Sequence, residues 1–583
     1  MTGNEAIARG AWEAGVRVAA AYPGTPSTEI LEALGTYPAA DVDAGWATNE
    51  KTSLDTAIGA SFCGTRAFCA MKHVGLNVAS DSLMSQAYIG VNAGLVLAVC
   101  DDPGIHSSQN EQDTRLFARF AMVPVLEPAD AQEALDYTRI AFDVSEEFDT
   151  PVIVRSTTRL SHTRSLVRQG RRHEPVPKPF IEDFTKNVII PAHARLRHPK
   201  VIEREGRVSA YFDAGDLVGW EKGSPDVGIV TVGPAYSYVK EVHPDATILK
   251  LASSFPLATD TLRRFCRSVE WVLVVEELEP VIEEQMKVLG IAVEGKAFFP
   301  RAGELSPELV RKGLEKAGVL APVAATAPMQ TEAIARPPVL CAGCPHISSY
   351  LALRNINARV TGDIGCYTLG AIEPLKAIDT CVAMGASIGN AVGMAKSGTQ
   401  TRPIVATIGD STFLHAGIPP LIDAVYCNAN ITVMLLDNHI TAMTGGQHHA
   451  ATGRNLRGEE TPRVDFAEIC RAVGVKWIKT VDSYEIGAMY RTLREAIEFD
   501  GVSVIISNRP CVLDPVKLKG PALEVRTEKC TACQSCMNLG CPALSWDDEM
   551  YNGYHRIKID PTACIGCALC AQVCPVDGIH PVN

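Results

Sequence analysis

Cysteines near the C-terminal end of the chain have the clearest chemical pattern in the sequence. Eight of the nineteen cysteines lie in the last 54 of the 583 residues, and they form two sets. In each set, two-residue gaps separate three cysteines, and a fourth cysteine precedes a proline. Such gaps let one short loop bring three thiolates around a [4Fe–4S] cubane, while the Cys-Pro gives the fourth ligand to the other cubane. The pattern predicts two clusters that carry electrons one at a time.

The exchange of fourth ligands divides these eight cysteines into two groups. The first predicted cluster is bound by Cys530, Cys533, Cys536 and Cys574, and the second by Cys564, Cys567, Cys570 and Cys541. Zinc sites and a disulfide framework are the alternatives, but zinc sites usually take their ligands in pairs, and reducing compartments disfavour disulfides. The longer gap before Cys541 is expected only to enlarge one loop.

A second constellation combines oxygen ligands at two neighbouring strand ends. Asp410 follows the apolar run 404–408 in a Gly-Asp-Ser segment, and the Asp-Asn-His-Ile segment after the next apolar run contains Asn438 and Ile440. The carboxyl ends of adjacent parallel strands meet at one edge of a sheet, beside helix N-termini that favour phosphate. Mg²⁺ takes few protein oxygens beside phosphate. These residues are therefore candidates to bind a diphosphate with its Mg²⁺, although such dipeptides are also common in turns.

Parallel strands are indicated by apolar runs that do not alternate with polar residues. These runs lie at 95–100, 152–154, 227–232, 271–275, 404–408, 431–436 and 502–506. Strands buried on both faces have this pattern, and helical patterns such as 132–142 and 260–267 lie between them. The predicted fold is α/β, with several doubly wound parallel-sheet domains followed by the cluster-binding module.

Bulk composition excludes some partners. The net charge is −13, and no Lys/Arg-rich stretch could follow a phosphate backbone, which argues against nucleic acid. No run approaches the roughly 18 apolar residues of a membrane helix. The N-terminal segment has Glu5 where a signal peptide would be basic and then apolar. These two observations lead us to expect a cytoplasmic protein, and clustered cysteines in that reducing compartment indicate metal sites or catalysis.

Two short motifs resemble those of known enzymes. The first consists of Gly409, Asp410, Ser411 and Asn438, and the second of Thr444, Gly445, Gly446 and Gln447. The first resembles the GDG…N motif of thiamine diphosphate enzymes, with Ser411 in place of the second glycine. The second matches the TGGQ segment of 2-oxoacid:ferredoxin oxidoreductases. The resemblance implies that Asp410, the Asn438 side chain and the Ile440 carbonyl bind Mg²⁺.

The N-terminal region resembles the same enzymes. The segment Tyr-Pro-Gly-Thr-Pro-Ser, which contains Thr25, is similar to their loop in which the threonine contacts the substrate. Glu50 matches the glutamate that hydrogen-bonds the aminopyrimidine of the cofactor. Such a carboxylate favours the imino form of that ring, which can remove the C2 proton of the thiazolium. Without the resemblance, a glutamate at a helix start is more simply a solvated charge favoured by the helix dipole.

Four further cysteines accompany the magnesium motif. They are Cys341, Cys344, Cys366 and Cys511. Pyruvate:ferredoxin oxidoreductases hold a cluster near the thiazolium on cysteines in a similar order, so the resemblance implies a third [4Fe–4S] cluster here. The alternative is a set of buried structural cysteines, because cysteine is a common core residue.

Composition and resemblance together suggest six parts. Residues 166–225 are rich in Arg, His and Pro, and residues 321–338 are rich in Ala and Pro, as linkers often are. The predicted parts are a pyrimidine-binding-like thiamine diphosphate domain (1–165), a connecting excursion (166–225), a transketolase C-terminal-like domain (226–320), a linker (321–338), a diphosphate- and Mg-binding domain (339–515) and a two-cluster ferredoxin domain (516–583).

Over its whole length the chain resembles the α subunits of indolepyruvate ferredoxin oxidoreductases. The segments GNEAIARG at 3–10, KHVGLN at 72–77 and EQDTR at 111–115 look like segments of that family. The resemblance implies a partner β subunit in an α₂β₂ assembly, ferredoxin as electron acceptor and coenzyme A as co-substrate. The expected reaction is oxidative decarboxylation of an aryl 2-oxoacid to an acyl-CoA.

Three residues bear on the substrate. His73 and Arg115 are candidates to bind its carboxylate or carbonyl, and a structural hydrogen bond or surface charge is the alternative for each. Met443 stands where the pyruvate enzymes carry Asn before TGGQ, which favours a pocket for a larger, less polar 2-oxoacid. Phenylglyoxylate or a branched-chain 2-oxoacid are alternative substrates. A non-oxidative thiamine diphosphate decarboxylase would not need the cluster module, and a pure electron carrier would not need the magnesium motif.

Overall fold

The computed structural model describes residues 1–215, 217–322, 338–514 and 519–582. The chain divides into two compact units, Met1–Met329 and Gln330–Asn583. Most of the predicted linker 321–338 lies outside the described residues, as does the predicted boundary at 515/516.

The first unit is built on a seven-stranded sheet. In sheet order its strands are Ser253–Phe255, Val125–Leu126, Val152–Thr157, Leu95–Asp101, Ala67–Lys72, Val18–Ala21 and Asp43–Trp46. All neighbours are parallel except the first pair. The central strands are fully buried, as expected where helices cover both faces of a parallel sheet.

Helices follow most of these strands. They are Gly3–Glu13, Thr28–Gly35, Glu50–Phe62, His73–Val78, Ser80–Ile89, Thr114–Ala121, Ala131–Phe148 and Thr158–His162. Several begin at a side chain that accepts a main-chain N–H, such as Asn49 before Glu50 and Asp130 before Ala131. These caps satisfy N–H groups that have no partner within the helix.

A second, four-stranded sheet completes this unit. Its order is Trp271–Val275, Val227–Val232, Thr247–Leu251 and Gly219–Glu221, with only the last strand antiparallel. Its helices are Pro234–Val242, Thr259–Cys266, Val281–Val288 and Pro307–Lys316. The chain then places Ser253–Phe255 on the edge of the seven-stranded sheet, so one short strand ties the two sheets together.

The predicted excursion contains ordered structure, namely the helices Phe184–Asn187 and Pro191–Ala214. The long helix packs on the first sheet domain through two arginines. Arg197 donates to the carbonyls of Tyr88 and Ile89, and Arg204 donates to those of Asp149 and Ala87. These bonds hold the segment against the N-terminal domain.

The second unit is built on a six-stranded, fully parallel sheet. Its order is Thr380–Cys381, Arg359–Gly362, Ile404–Gly409, Ile431–Asp437, Val502–Asn508 and Trp477–Asp482. Its helices and helical turns are His346–Ile356, Cys366–Ala371, Ala386–Lys396, Asp410–Thr412, Phe413–Gly417, Ile418–Tyr426, Phe466–Ala472 and Ile486–Glu498.

The cysteine-rich module belongs to the same unit. It has two antiparallel pairs, Leu523–Val525 with Ile579–Pro581 and Leu544–Tyr551 with Tyr554–Ile559, and the turns Ser535–Leu539 and Leu569–Gln572. Leu539, Ile557 and Leu569 share one apolar core with Tyr350 and Met489 of the sheet domain. The module is therefore packed on the sheet domain by buried apolar contacts.

The α/β fold class is confirmed, because all seven apolar runs form strands and both helical patterns form helices. Among the described residues, no helix combines the length and the apolar character needed to cross a bilayer.

Candidate active site and cluster-binding cysteines

The predicted magnesium ligands lie at the carboxyl ends of two adjacent strands. Gly409 pairs in register with Leu436, so Asp410 and Asn438 emerge from neighbouring strand ends. Both side chains are buried. A glycine is required at 409 because a Cβ atom there would lie 2.6 Å from Cε1 of Tyr367. The structure thus brings the two oxygen-bearing side chains to the edge that the sequence predicted.

Two histidines complete the surroundings of these side chains. Asn438 Nδ2 lies 3.3 Å from Nε2 of His346, whose pKa is lowered to about 4 by burial, while the charge of Asp410 opposes that shift. Nε2 of His449 lies 3.3 Å from Oδ2 of Asp410. Burial raises the pKa of Asp410, but His449 and the N–H of Ser411 outweigh it and lower the pKa overall.

The Asp410 carboxylate suits a cation. Its Oδ2 atom is buried, and Nε2 of His449, at 3.3 Å, is its one neighbouring donor among the described residues. A buried ionised carboxylate normally needs a cation or several donors. Asp410, with Asn438 and the Ile440 carbonyl, therefore fits Mg²⁺ as a donor set of oxygens.

The Thr-Gly-Gly-Gln loop folds back on the magnesium motif. Thr441 and Gln447 exchange main-chain hydrogen bonds of 2.9 and 3.3 Å, which closes the loop. Gly445 and Gly446 have φ angles of +120° and +94°, where residues with a Cβ are disfavoured. Gln447 Nε2 donates to the carbonyl of Thr444, and Met443 beside it is 53% exposed.

The eight cysteines of the C-terminal module form the two groups that the sequence predicted. Burial raises the pKa of Cys536 to about 11, with Cys533, Cys530 and Cys574 adding to the rise. Burial raises the pKa of Cys570 to about 12, with Cys567, Cys541, Cys536 and Cys564 adding to it. The first group lines one cavity, together with Val525, Ile557 and Ile579.

Main-chain donors point at the sulfur atoms of both groups. The N–H of Gly578 lies 3.2 Å from Sγ of Cys574, and that of Leu523 lies 3.4 Å from Sγ of Cys564. Hydrogen bonds to cluster sulfurs are one of the protein's means of setting a reduction potential. Within the described ranges, no three His, Cys, Asp or Glu side chains close around a single ion, and a cubane spaces its thiolates more widely.

The four cysteines of the sheet domain also come together. Burial raises the pKa of Cys344, with Cys341, Cys511 and Cys366 adding to the rise. Burial raises the pKa of Cys366 to about 11, with Cys511 and Cys341 adding to it. A convergence of four thiols from three separate segments is more than a scatter of core cysteines would give, and it suits a [4Fe–4S] cubane.

Hydrogen bonds connect the magnesium motif to the sheet-domain cysteines, and the loop of those cysteines to the C-terminal module. The N–H of Cys511 donates to the carbonyl of Asn438 over 2.9 Å. Burial raises the pKa of Cys541, and the N–H of Gly343, bonded to its sulfur, opposes that rise. The Tyr484 hydroxyl donates to the carbonyl of Gly343 over 2.6 Å, and the Arg509 guanidinium lies 3.8 Å from the centre of the Tyr484 ring.

In the first unit, Thr25 lies in a loop fixed by its own polar groups. The Ser27 hydroxyl donates to the carbonyl of Gly24 over 2.7 Å, and the N–H of Gly24 donates to the hydroxyl of Thr28 over 3.0 Å. The Ser107 hydroxyl donates to the carbonyl of Thr25 over 3.1 Å. The side chain of Thr25 is partly exposed, so it is available to a ligand.

Glu50 is the first residue of the helix Glu50–Phe62 and is 6% exposed. It is therefore buried, unlike the solvated helix-start charge that was the simpler interpretation. Its carboxylate packs against Cα of Gly75 in the next helix.

His73 begins the helix His73–Val78 and is buried. Its Nε2 lies 3.2 Å from the carbonyl of Asn110, and its Nδ1 has no hydrogen-bond partner among the described residues. It lines a cavity with Asn77, Gln112 and Phe117. This position allows His73 to bind a ligand.

The surroundings of Arg115 do not support the expectation that it binds the carboxylate or carbonyl of the substrate. It is fully buried, and its guanidinium donates to Asp113, to Glu276 and to the carbonyl of Glu279 over 2.6 to 2.9 Å. A further bond goes to the carbonyl of Glu277. These partners all belong to the same unit and occupy its donors, so none is directed at a ligand. The structural hydrogen bond was the better interpretation.

Sequence reasoning missed three buried residues that contact these loops and side chains: His346, His449 and Lys72. His346 and His449 stand directly beside recognised motifs, in Cys-Pro-His and Gly-Gln-His-His. Their proximity to Asp410 and Asn438 depends on the folded loops. Lys72 ends a buried strand and lies under the Thr25 loop, where a Cβ on Gly24 would be 3.2 Å from its Cδ.

Three protein families match the sequence. "Pyruvate flavodoxin/ferredoxin oxidoreductase, thiamine diP-bdg" matches residues 9–206, "Thiamine pyrophosphate enzyme, C-terminal TPP binding domain" matches residues 363–507, and "4Fe-4S dicluster domain" matches residues 513–578. Together with the motifs and cysteine groups, these matches define a thiamine diphosphate-dependent 2-oxoacid:ferredoxin oxidoreductase that binds [4Fe–4S] clusters.

Full-length relatives specify the family. The chain is 42% identical to the indolepyruvate oxidoreductase subunit IorA of Thermococcus kodakarensis and 40% identical to that of Archaeoglobus fulgidus, covering 100% of this chain and 97% of each relative. A solved 2-oxoglutarate:ferredoxin oxidoreductase from Magnetococcus marinus is similar at 19% identity, 54% coverage of this chain, 64% of that chain and a TM-score of 0.44. The chain belongs to the family of indolepyruvate oxidoreductase subunits IorA.

Proposed function

We propose that the chain is the large subunit of an enzyme that decarboxylates an aryl 2-oxoacid of the indolepyruvate type. The balanced reaction joins the 2-oxoacid anion, coenzyme A and two oxidised ferredoxins. It yields an acyl-CoA, carbon dioxide, two reduced ferredoxins and one proton. The carbon–carbon bond to the carboxylate breaks, a carbon–sulfur bond forms, and two electrons leave singly through the clusters.

One observation carries this proposal. The N–H of Cys511, a member of the four-cysteine group in the sheet domain, donates to the carbonyl of the proposed magnesium ligand Asn438. Oxidation at the thiamine site needs an electron acceptor close by, and a decarboxylase without redox chemistry needs none. This adjacency therefore favours the oxidative reaction over the non-oxidative alternative.

Thiamine diphosphate, when bound, supplies an electron sink next to the carbonyl carbon. In the proposed scheme, Glu50 would hydrogen-bond the aminopyrimidine and move the proton that activates the cofactor. Asp410, Asn438 and the Ile440 carbonyl would hold the Mg²⁺ that accompanies the diphosphate. Thr25 would contact the substrate, and the loop 444–447 shapes the same edge of the second unit's sheet as Asp410 and Asn438.

In this proposal, twelve cysteines form three groups of four, and each group holds one cluster. Two belong to the C-terminal module, and the third is held by the sheet domain next to the magnesium motif. The contact between the N–H of Gly343 and the Cys541 sulfur supports one order of electron transfer between these groups. Clusters held by these groups would carry single electrons, from the group with Cys344 to that with Cys541 and then to the group with Cys536, whose sulfur neighbours Cys570.

The relatives' names and the chemistry support a proposal for the partners of the chain. A subunit named IorA implies a second subunit, and we propose an α₂β₂ assembly in the cytoplasm with ferredoxin as the external acceptor. Phenylglyoxylate or a branched-chain 2-oxoacid is the alternative substrate. Met443 is more than half exposed beside the TGGQ loop, which supports a substrate with a bulky apolar side chain.

The deciding experiment uses the anaerobically purified complex with its partner subunit. Reduction of a low-potential dye is followed with coenzyme A and a panel of 2-oxoacids. We expect indolepyruvate and phenylpyruvate to be used with higher kcat/KM than pyruvate and branched-chain 2-oxoacids. Faster turnover of pyruvate would contradict the large pocket, and decarboxylation without dye reduction would contradict the oxidative reaction.

A further inference from the structure

Lys72 occupies the functional edge of the first unit's sheet. It is the last residue of the strand Ala67–Lys72, which lies between the strands Val18–Ala21 and Leu95–Asp101. All three run in parallel, so the loop that contains Thr25 and the turn that contains Asp102 leave the sheet beside it. Open α/β sheets bind ligands at this carboxyl edge.

The contacts of Lys72 bring its ammonium group close to the Thr25 loop. Its aliphatic stem packs against Gly24, where a Cβ atom would lie 3.2 Å from Lys72 Cδ. Its Nζ donates to the carbonyl of Ser107 over 3.1 Å. The hydroxyl of the same Ser107 donates to the carbonyl of Thr25. Ser107 therefore bridges Lys72 and Thr25, the residue proposed to contact the substrate.

The charge of Lys72 is only partly compensated. The side chain is 8% exposed, and the carboxylates of Asp102 and Glu50 act on it through their charge without a hydrogen bond to it. An ammonium group has three donors, and one hydrogen bond is made. Lysine is almost never so buried without a partner. The site is therefore built to receive an anion.

The nearest acidic groups do not fill this role. The carboxylate of Asp102 is occupied by the N–H of Ser107 at 2.8 Å and by the hydroxyls of Ser108 and Thr158 at 2.7 and 2.8 Å. Burial lowers the pKa of Lys72 to about 8, while Asp102 and Glu50 oppose that shift from a distance. The ammonium group is thus mostly protonated at neutral pH and available to a negatively charged ligand.

We infer that Lys72 Nζ binds the carboxylate of the 2-oxoacid beside Thr25. This inference rests on the proposed function, whose substrate carries a carboxylate that needs a cation. Arg115, the cation expected from the sequence, is already paired with Asp113 and Glu276. The carboxylate leaves as carbon dioxide, so its ion pair stabilises the bound substrate more than the later transition states. Loss of Lys72 therefore acts mainly on KM.

The experiment compares Lys72→Gln with the wild type in the assembled enzyme. Glutamine can still donate to the carbonyl of Ser107 but has no charge. We expect KM for the 2-oxoacid to rise on the order of 10- to 100-fold, as for the loss of a charge-assisted hydrogen bond. KM for coenzyme A stays unchanged, and Lys72→Arg restores part of the loss. Lys312→Gln, at an exposed lysine of the same unit, is the matched control.

A binding measurement separates this role from a structural one. Calorimetric titration compares indole-3-propionate with its amide, which differ only in the carboxylate. The wild type should prefer the acid, and Lys72→Gln or Lys72→Met should lose that preference. If the variants keep the preference and the wild-type KM, or if only KM for coenzyme A rises, the assignment of Lys72 is wrong. A wild type that uses no 2-oxoacid at all overturns the proposed function, and the role of Lys72 with it.

Discussion

Gly75 faces Glu50 so closely that a Cβ atom on Gly75 would stand 2.6 Å from Oε1 and 2.7 Å from Cγ of the glutamate. Gly75 is buried in the helix His73–Val78, and Glu50 begins the helix Glu50–Phe62. The glycine in the KHVGLN segment therefore fixes where the Glu50 carboxylate can lie. Its missing side chain is part of the geometry proposed to activate the cofactor.

Replacing Gly75 with Ala should displace the Glu50 carboxylate. A misplacement of about 1 Å can cost about 100-fold in rate, so we expect kcat to fall by roughly that factor. Iron content should not change, because the cysteines lie in the other unit. Gly59→Ala, where a Cβ would meet nothing within 4 Å, is the control in the adjoining helix. Turnover of Gly75→Ala at the wild-type rate would disprove the role of this contact.

Arg115→Met should destabilise the protein instead of impairing substrate binding. It would leave Asp113 and Glu276 buried without their cation, which typically costs roughly 3–5 kcal/mol. Thermal unfolding followed by circular dichroism should show a fall in Tm on the order of 10 °C. The partly exposed Arg119 of the same helix provides the control, Arg119→Met. An unchanged Tm together with a raised KM for the 2-oxoacid would restore the substrate role.

Glu277 should make the stability of the first unit fall as pH rises. Its pKa is raised from 4.5 to about 7, mainly by burial, so the folded state holds a proton that the unfolded state has lost between these values. Unfolding free energy should therefore decrease from about pH 4.5 to 7, by on the order of 3 kcal/mol in total. Below pH 4.5 this contribution is fully present.

Glu277→Gln tests that pH dependence, because glutamine can accept the same N–H from Leu305 without ionising. We expect the variant to be more stable than the wild type at pH 8 and equal to it near pH 4.5. Exposed Glu270 supplies the control, Glu270→Gln. Parallel stability curves for the wild type and Glu277→Gln would show that Glu277 does not titrate in this range.

Cys366→Ser should remove one cluster and leave the other two intact. Three [4Fe–4S] clusters amount to about twelve irons per chain, so iron analysis after anaerobic purification should give about eight for the variant. Electron paramagnetic resonance of the reduced protein should retain the signals of the C-terminal module. Cys427→Ser, at a cysteine outside all three groups, should keep the wild-type iron content. About eight irons in both wild type and variant would mean that the sheet-domain cysteines are structural.

The fold was predictable where the local pattern is strong. Runs such as 404–408 and 431–436 are continuously apolar, and they form the central strands of the second sheet. The strand Val18–Ala21 was missed because three alanines give little strand preference, and tertiary pairing with Ala67–Lys72 decides it. The helix Pro191–Ala214 was missed because Pro199 lies inside it and its stability comes from packing on the N-terminal domain.

The sites divide in the same way. Cysteine spacing is a local property, so the grouping of Cys574 with Cys536 could be derived from sequence and is found in the structure. The ion pairs of Arg115 could not be predicted from sequence, because Glu276 is 161 residues away along the chain. For Lys72, the burial and the unpaired charge that make it informative arise only when separate loops close over it.

The hydrogen bond from the Gly343 peptide to the Cys541 sulfur spans two domains that are covalently continuous and share an apolar core. Under the proposed function, clusters bound by these two cysteine groups would exchange electrons without any diffusional encounter. Electron transfer between them should therefore be first order, independent of enzyme concentration and insensitive to ionic strength. Only the last hop, to a separate carrier, would remain sensitive to salt and to concentration.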